Sequence, residues 1–296
     1  GMLKKQNKKV MTKKSLITIL LLLTTVLLSA NAQKADYQKA DSQRVMSLFR
    51  KAKGQPHAMG SYMVFFGRQL LGVPYVAKTL EKNKSEQLIV NLRQLDCTTY
   101  VETVLALSRC MMQGKPTFSN YCTQLRLIRY AKGVVSYPTR QHYFTYWIKQ
   151  NVSDGIVKDI QSPNPPYAAR QTVKANYMTT HISQYPMLVD HPAYIQQIKA
   201  MEKAITGLKP RYIPESAINN TKLLRNTVHD GDIIGIVTTK AGLEISHLGI
   251  AVWHKDGLHM LNASSLKHKV IEDSNLLRTY LKKQKSAIGI RTVRAY

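Results

Sequence analysis

The stretch Leu95-Asp-Cys-Thr-Thr-Tyr-Val-Glu102 holds a residue able to do covalent chemistry, the thiol of Cys97. It precedes an apolar series, Val101, Val104, Leu105 and Leu107, whose spacing predicts a helix. Thr99 and Glu102, three apart, fit a capping box at the start of that helix. Cys97 would then sit just ahead of the cap, at the positive end of the helix. A thiol attacks only as thiolate, and its pKa falls at a helix N-terminus and beside a histidine. The other uses of such a cysteine are as a buried filler or as half of a disulfide.

Of the nine histidines, His247 is the best placed to serve that thiol. It opens Ser246-His-Leu-Gly-Ile-Ala-Val252, a strand-like run that follows another, Gly231-Asp-Ile-Ile-Gly-Ile-Val237. A histidine at a strand's mouth is held by the sheet yet faces outward, although a lone histidine is more often a satisfied structural residue. Asn262, on the next run, could accept from a ring N–H and fix the tautomer. Asparagine is unfavourable inside a strand, so it either has such a role or ends the strand. The alternative chemistry, zinc hydrolysis, needs three convergent ligands. His254, His259 and His268 are close in sequence, but neither His-Glu-x-x-His nor Cys-x-x-Cys occurs. No metal and no other cofactor is therefore expected.

The elements that must position these residues change character along the chain. Amphipathic periodicity predicts helices over 35–53, 59–71, 119–132, 142–152 and 194–206, beside the one that follows Cys97. From residue 232 onward short β-branched runs take over, at 232–238, 247–253, 258–263, 270–273 and 288–293, with a short helix at 276–282. Helices first and a mostly antiparallel sheet afterwards is an α+β arrangement.

Composition sets the setting. Six lysines, then the apolar run Leu16 to Leu28, then Ala30-Asn-Ala32 form a secretory signal peptide over residues 1–32. The apolar run is shorter than the ~20 residues a spanning helix needs, so an uncleaved anchor is the weaker reading. The rest, 33–296, reads as one domain, soluble after signal removal, periplasmic or secreted, and expected to be monomeric. The net charge of the whole chain is +26, and +20 once the six lysines of the signal are removed. That excess favours anionic envelope polymers. The basic residues are scattered without an aromatic-interleaved stripe, so nucleic acid is not the expected partner. There are three cysteines, Cys97, Cys110 and Cys122. On one helix Cys97 and Cys110 would stand roughly 20 Å apart, beyond the ~7 Å a disulfide allows. Cys110 and Cys122 either bridge or fill the core.

The order Gly72-Val-Pro-Tyr75, Asp96-Cys97-Thr, Gly231-Asp232-Ile, Ser246-His247-Leu-Gly-Ile and Asn262-Ala-Ser-Ser resembles the NlpC-type papain-like peptidases and amidases of bacterial cell walls. Within them the chain is similar to the N-acetylmuramoyl-L-alanine amidase-like branch. The resemblance runs from about Leu70 to the C-terminus, although its sharp motifs cover only short stretches. It implies a papain-like fold with a Cys-His-Asn site: Cys97 as nucleophile, His247 as base, Asn262 as its orienter and Tyr75 as an oxyanion donor. Asp96 and Ser246, flanking the reactive pair, become candidate substrate contacts, Asp96 chiefly by orienting its loop. It also implies muropeptides as substrates, cut between N-acetylmuramic acid and L-alanine. A stem-peptide endopeptidase cutting after D-glutamate and a non-enzymatic envelope-binding protein are the alternatives. The chain departs from the wider family pattern in having Thr98 and Thr99 after the cysteine, in place of Ser-Gly. It also carries a long segment, about 113–225, before the sheet. Arg140, His142, Tyr143 and Trp147 within it are expected to wall the cleft and bind sugar or a peptide carboxylate. Tyr143 and Trp147, four apart, could equally be the core face of a helix.

Overall fold

The computed structural model describes residues 35–296, so the expected signal peptide lies outside the described residues. The first helix, Lys39–Lys51, turns Val45, Leu48 and Phe49 inward. Its buried Asp41 accepts the Gln38 N–H at 3.1 Å and the Leu92 N–H at 2.9 Å, and pairs with Arg93 at 3.2 Å. One carboxylate thus caps a helix and fastens the loop that leads to Cys97. The second helix, Met59–Gln69, packs closely through Gly67. A Cβ there would stand 2.8 Å from Tyr100 Oη and 3.1 Å from Leu261 Cδ1.

The third helix, Cys97–Met112, is the centre of the molecule. Every residue from Thr99 to Ser108 is buried, as in a helix enclosed on all sides. It lies between its helical neighbours, Met59–Gln69 and Phe118–Arg129, and the middle of the sheet. No described helix is long and apolar enough to cross a membrane.

Ten strands are described. β1 (Asp36–Tyr37) and β2 (Ile89–Val90) form a small parallel pair. The other eight are β3 (Val157–Ile160), β4 (Ala169–Arg170), β5 (Arg211–Pro214), β6 (Ile233–Thr238), β7 (Ile245–Trp253), β8 (Leu258–Ser264), β9 (Lys269–Glu272) and β10 (Ala287–Ala295). They make one antiparallel sheet in the order β4-β5-β10-β6-β7-β8-β9, with β3 also on β10. Alternation along the strands fills two cores. Ile233, Ile250, Val252 and Leu261 face the helices, while Ile234, Ile236, Ala251, Met260 and Ile290 face the far side. The short helix Leu277–Lys282 closes that far side through Leu277 and Leu281. Helices preceding a mostly antiparallel sheet is the arrangement that the sequence pattern predicts.

Two local expectations are corrected. The helix cap is Asp96, not Thr99. Asp96 accepts the Thr99 N–H at 2.8 Å, the Thr99 hydroxyl accepts the Asp96 N–H at 2.9 Å, and Cys97 is the first residue inside the helix. Asp outcompetes Thr here because its carboxylate meets the positive helix end directly. The second concerns the long segment: expected to lie before the sheet, it itself supplies strands to the sheet. Phe118–Arg129 packs on the cysteine helix, and β3 and β5 pair with β10. Tyr137, Tyr143, Met178, Leu188, Ile198 and Met201 form a third core. These strands are two to four residues long and interrupted by charges such as Lys158 and Asp159, too short for a period to register. All three cysteines are free.

Glu102, released from capping, is buried and meets Arg129 Nε at 2.7 Å. Arg129 also donates to the Ile89 carbonyl at 2.7 Å. Burial holds the Glu102 carboxyl above its ordinary pKa, with Arg129 pulling the other way. Such a pair adds little net stability, but breaking it strands a buried charge at about 3–5 kcal/mol. Glu102→Ala should therefore lower the free energy of urea unfolding by about 3–5 kcal/mol. Glu102→Leu combined with Arg129→Met should recover most of that loss. An unchanged midpoint for Glu102→Ala would contradict this role.

Candidate active site

Three chain segments meet at the start of the cysteine helix. The first is the loop through Tyr75. Its backbone is stitched to the residue before the cap: Leu95 N–H donates to the Pro74 carbonyl at 3.0 Å and Val76 N–H to the Leu95 carbonyl at 3.1 Å. Tyr75 N–H donates to the His268 carbonyl at 2.9 Å, which ties the loop to the sheet as well. This places the Tyr75 phenol beside Cys97 and Asp96, whose negative charges, after burial, help push it up to about 12.

The second segment is the helix start itself. The Cys97 thiol receives a hydrogen bond from the backbone N–H of Leu248, the residue after His247. The Thr98 hydroxyl lies 4.0 Å from its sulfur. Burial, reinforced by the Asp96 carboxylate, pushes the thiol up to about 11 against these two donors. The helix's positive end favours the thiolate by about 0.3–1 kcal/mol, at most ~2. A rise from 9.0 to about 11 outweighs that at ~1.4 kcal/mol per pKa unit. Desolvation and the Asp96 charge therefore push the thiol up, against the pull expected of a helix end.

The third segment is the sheet. His247 pairs with Ile236 of β6, and the register then shifts so that Ile245 meets Val237. Ser246 is the additional residue of a β-bulge, a device that re-aims the neighbouring side chain. His247 Nε2 lies 3.0 Å from the Oδ1 of Asn262, which is buried on β8. An amide oxygen can only accept, so Nε2 carries the hydrogen and Nδ1 keeps its lone pair. Burial lowers the His247 pKa, against the Asn262 hydrogen bond and the Asp96 charge, so the ring is neutral at rest.

Sequence reasoning missed one residue here. Tyr280, on the helix Leu277–Lys282, sets its ring 6.3 Å from that of His247. Burial, followed by the charge of the Cys97 thiolate, pushes its phenol up to about 12. Its position in a short helix distant from every motif gave no signal; only the fold of the far-side core carries it to the site. Like Tyr75, it stays a protonated donor at any working pH.

The structure gathers Cys97, His247, Asn262, Tyr75 and Asp96, with Ser246 exposed on the bulge. The Asp96 carboxylate is engaged by both the N–H and the hydroxyl of Thr99, which fits the loop-orienting role. The four residues of the long segment are placed differently. Arg140 is buried, ion-paired with Glu81 and with Glu86, the latter at 3.4 Å, and stacked over Tyr137. Its guanidinium is already neutralised inside the protein and is not presented to a substrate carboxylate. Tyr143 is buried and donates to Glu202 at 2.7 Å. Trp147 is buried and stacks on Phe144. The core-face reading therefore describes both aromatics. His142, held neutral by burial and by Arg140 with its pKa near about 3, donates from Nε2 to the Tyr137 carbonyl at 2.8 Å.

The model of the AmiA-like family, described as N-acetylmuramoyl-L-alanine amidase-like, matches residues 65–290. An N-acetylmuramoyl-L-alanine amidase from Bacteroides uniformis is similar in structure, with a TM-score of 0.75 and 32% identity, covering 80% of this chain and 99% of its own. A candidate xylanase from Bacteroides fragilis gives a TM-score of 0.71 at 35% identity, covering 77% of this chain and 98% of its own. A Legionella pneumophila protein, at 22% identity and a TM-score of 0.66 over 86% and 94%, shares the fold alone. No curated protein matches the chain. On the family match and the Bacteroides uniformis likeness, the chain belongs to the AmiA-like, N-acetylmuramoyl-L-alanine amidase-like family.

Proposed function

We propose that this member of an amidase-like hydrolase family is a cysteine-dependent enzyme of the NlpC-type, papain-like class. It is exported to the periplasm or beyond, where it cleaves peptidoglycan fragments between N-acetylmuramic acid and L-alanine. The observation that supports this most is the pairing of His247 Nε2 with Asn262 Oδ1 beside a thiol at the first turn of a buried helix.

The reaction follows from those positions. As sulfur attacks the amide carbonyl carbon, the thiol proton passes to His247 Nδ1, the nitrogen that Asn262 leaves open. The oxyanion meets the free N–H of Cys97, one of the unpaired donors of a helix's first turn, and the Tyr75 hydroxyl. The C–N bond then breaks. The imidazolium gives its proton to the amino group of the departing L-alanine, leaving the sugar's lactyl group as a thioester on Cys97. Water, deprotonated by the same Nδ1, hydrolyses the thioester. Asn262 keeps the ring in one tautomer throughout. Tyr280 packs by the ring and offers a second phenol at the reacting face.

Disaccharide-tetrapeptide should yield free disaccharide and an intact tetrapeptide beginning with L-alanine, identified by mass spectrometry. Cys97→Ala and His247→Ala should abolish that yield, whereas Cys110→Ala and Cys122→Ala should retain it. Tyr75→Phe should lower kcat by about 10²–10³, the usual loss of one oxyanion donor. A sugar-linked L-alanyl-D-glutamate product would replace this reading with the endopeptidase, and full turnover by Cys97→Ala would end the thiol mechanism.

The neutral resting pair also fixes the pH dependence. Activity needs unprotonated His247, whose pKa is lowered, so the acid limb of kcat/KM lies below 6.5. The thiol ionises only near about 11. The profile should therefore stay level from about pH 7 to about pH 10. An alkaline limb between about pH 8 and 9, where an imidazolium partnered with a thiolate would lose its proton, would contradict the neutral pair.

A further inference from the structure

A second cluster of reactive side chains stands at the opposite end of β7, on the turn into β8. One ring nitrogen of His254, one of His259 and a carboxylate oxygen of Asp256 lie within 4.8 Å of one another. The hydrogen-bond pattern around them points to a ligand. His259 is buried, and its Nδ1 lies 2.9 Å from the Asp273 carbonyl, so Nδ1 carries the hydrogen. The Nε2 lone pair of a neutral ring then faces Asp256 Oδ1 at 3.1 Å, two acceptors turned on each other. Something positive belongs between them. A proton would serve that pair alone, yet a second imidazole is stacked on the first, with ring centroids 4.2 Å apart.

That second ring is oriented in the same way. His254 Nε2 lies 2.6 Å from Glu272 Oε1, and Glu272 is itself fixed by Arg68 through contacts of 2.8 and 2.9 Å. Each histidine therefore gives one nitrogen to an oxygen acceptor, a carboxylate or a backbone carbonyl, which leaves its second ring nitrogen chemically able to take an ion. This is the outer arrangement that orients metal-binding histidines. Two imidazoles and a carboxylate suit zinc and related first-row divalent ions, with a coordination position left over for water.

We propose that His254, Asp256 and His259 form a divalent transition-metal site of the zinc type, with Glu272 and the Asp273 carbonyl orienting the two histidines. The site would brace the β7–β8 turn against β9. It is not a catalytic metal centre, since His247 lies seven residues along the chain from His254, roughly 23 Å at ~3.3 Å per residue. The ion would instead stiffen the two strands that carry His247 and Asn262.

The test uses the full chain carrying Cys97→Ala, so that the reactive thiol cannot bind the metal, with zinc as the probe in equilibrium dialysis. One zinc should be retained per chain, and the thermal midpoint should rise with zinc. His254→Ala and Asp256→Ala, added singly, should each abolish retention. Both side chains are well exposed, at 40% and 65%, so neither change threatens the fold. Glu272→Gln should weaken binding by about 10–100-fold, the usual effect of losing an orienting partner. Failure of the Cys97→Ala protein to retain zinc would overturn the proposal. So would zinc retained in full by either the His254→Ala or the Asp256→Ala protein.

Discussion

The hydrogen bonds between Asp96 and Thr99 set everything that follows in the site. They start the third helix at residue 97 and therefore decide which way its first side chain points. A start one residue later would rotate the thiol by about 100° and take it off the Leu248 N–H. The capped end cannot drift, because the helix behind it is enclosed on all sides and the loop before it is stitched to Pro74 and Val76. Tyr75 rides on that same stitching. One cap thereby fixes a nucleophile candidate and a donor candidate together.

Enclosure has an electrostatic consequence. A helix end exposed to water would ease Cys97 toward thiolate. Here burial and the capping carboxylate act the other way, and the His247 ring is also held neutral. The device that positions the sulfur, a negative side chain at the helix start, is one of the causes that keep it protonated. In the proposed reaction, charge then develops only as the acyl carbon arrives, next to N–H and phenol donors already in place. Such preorganised donors act most strongly where water is excluded.

Much of this was legible in sequence, for identifiable reasons. The long helices and the late strands have clear periods, so their existence and order could be read. Cys97 opens a helix, His247 stands near the start of a strand and Asn262 interrupts an apolar strand, and a polar residue among apolar ones is conspicuous. Cap competition was not legible, since Asp96 and Thr99 both precede the apolar series Val101 to Leu107 and only geometry chooses between them. Tyr280 was hidden because its neighbourhood is created by a helix crossing the far face of the sheet. Arg140 misled in the opposite direction: a basic residue in a polar, aromatic stretch looks like a ligand contact until Glu81 and Glu86, more than fifty residues upstream, are seen to neutralise it.

The central claim is that Cys97 takes the sugar's lactyl acyl group. Acid-quenching the enzyme during turnover of disaccharide-tetrapeptide, then measuring intact and peptide mass, tests it most directly. The account predicts an added mass equal to the disaccharide bearing its lactyl group, on the peptide that contains Cys97. An adduct on any other residue, or an adduct on Cys97 that still contains L-alanine, would contradict it.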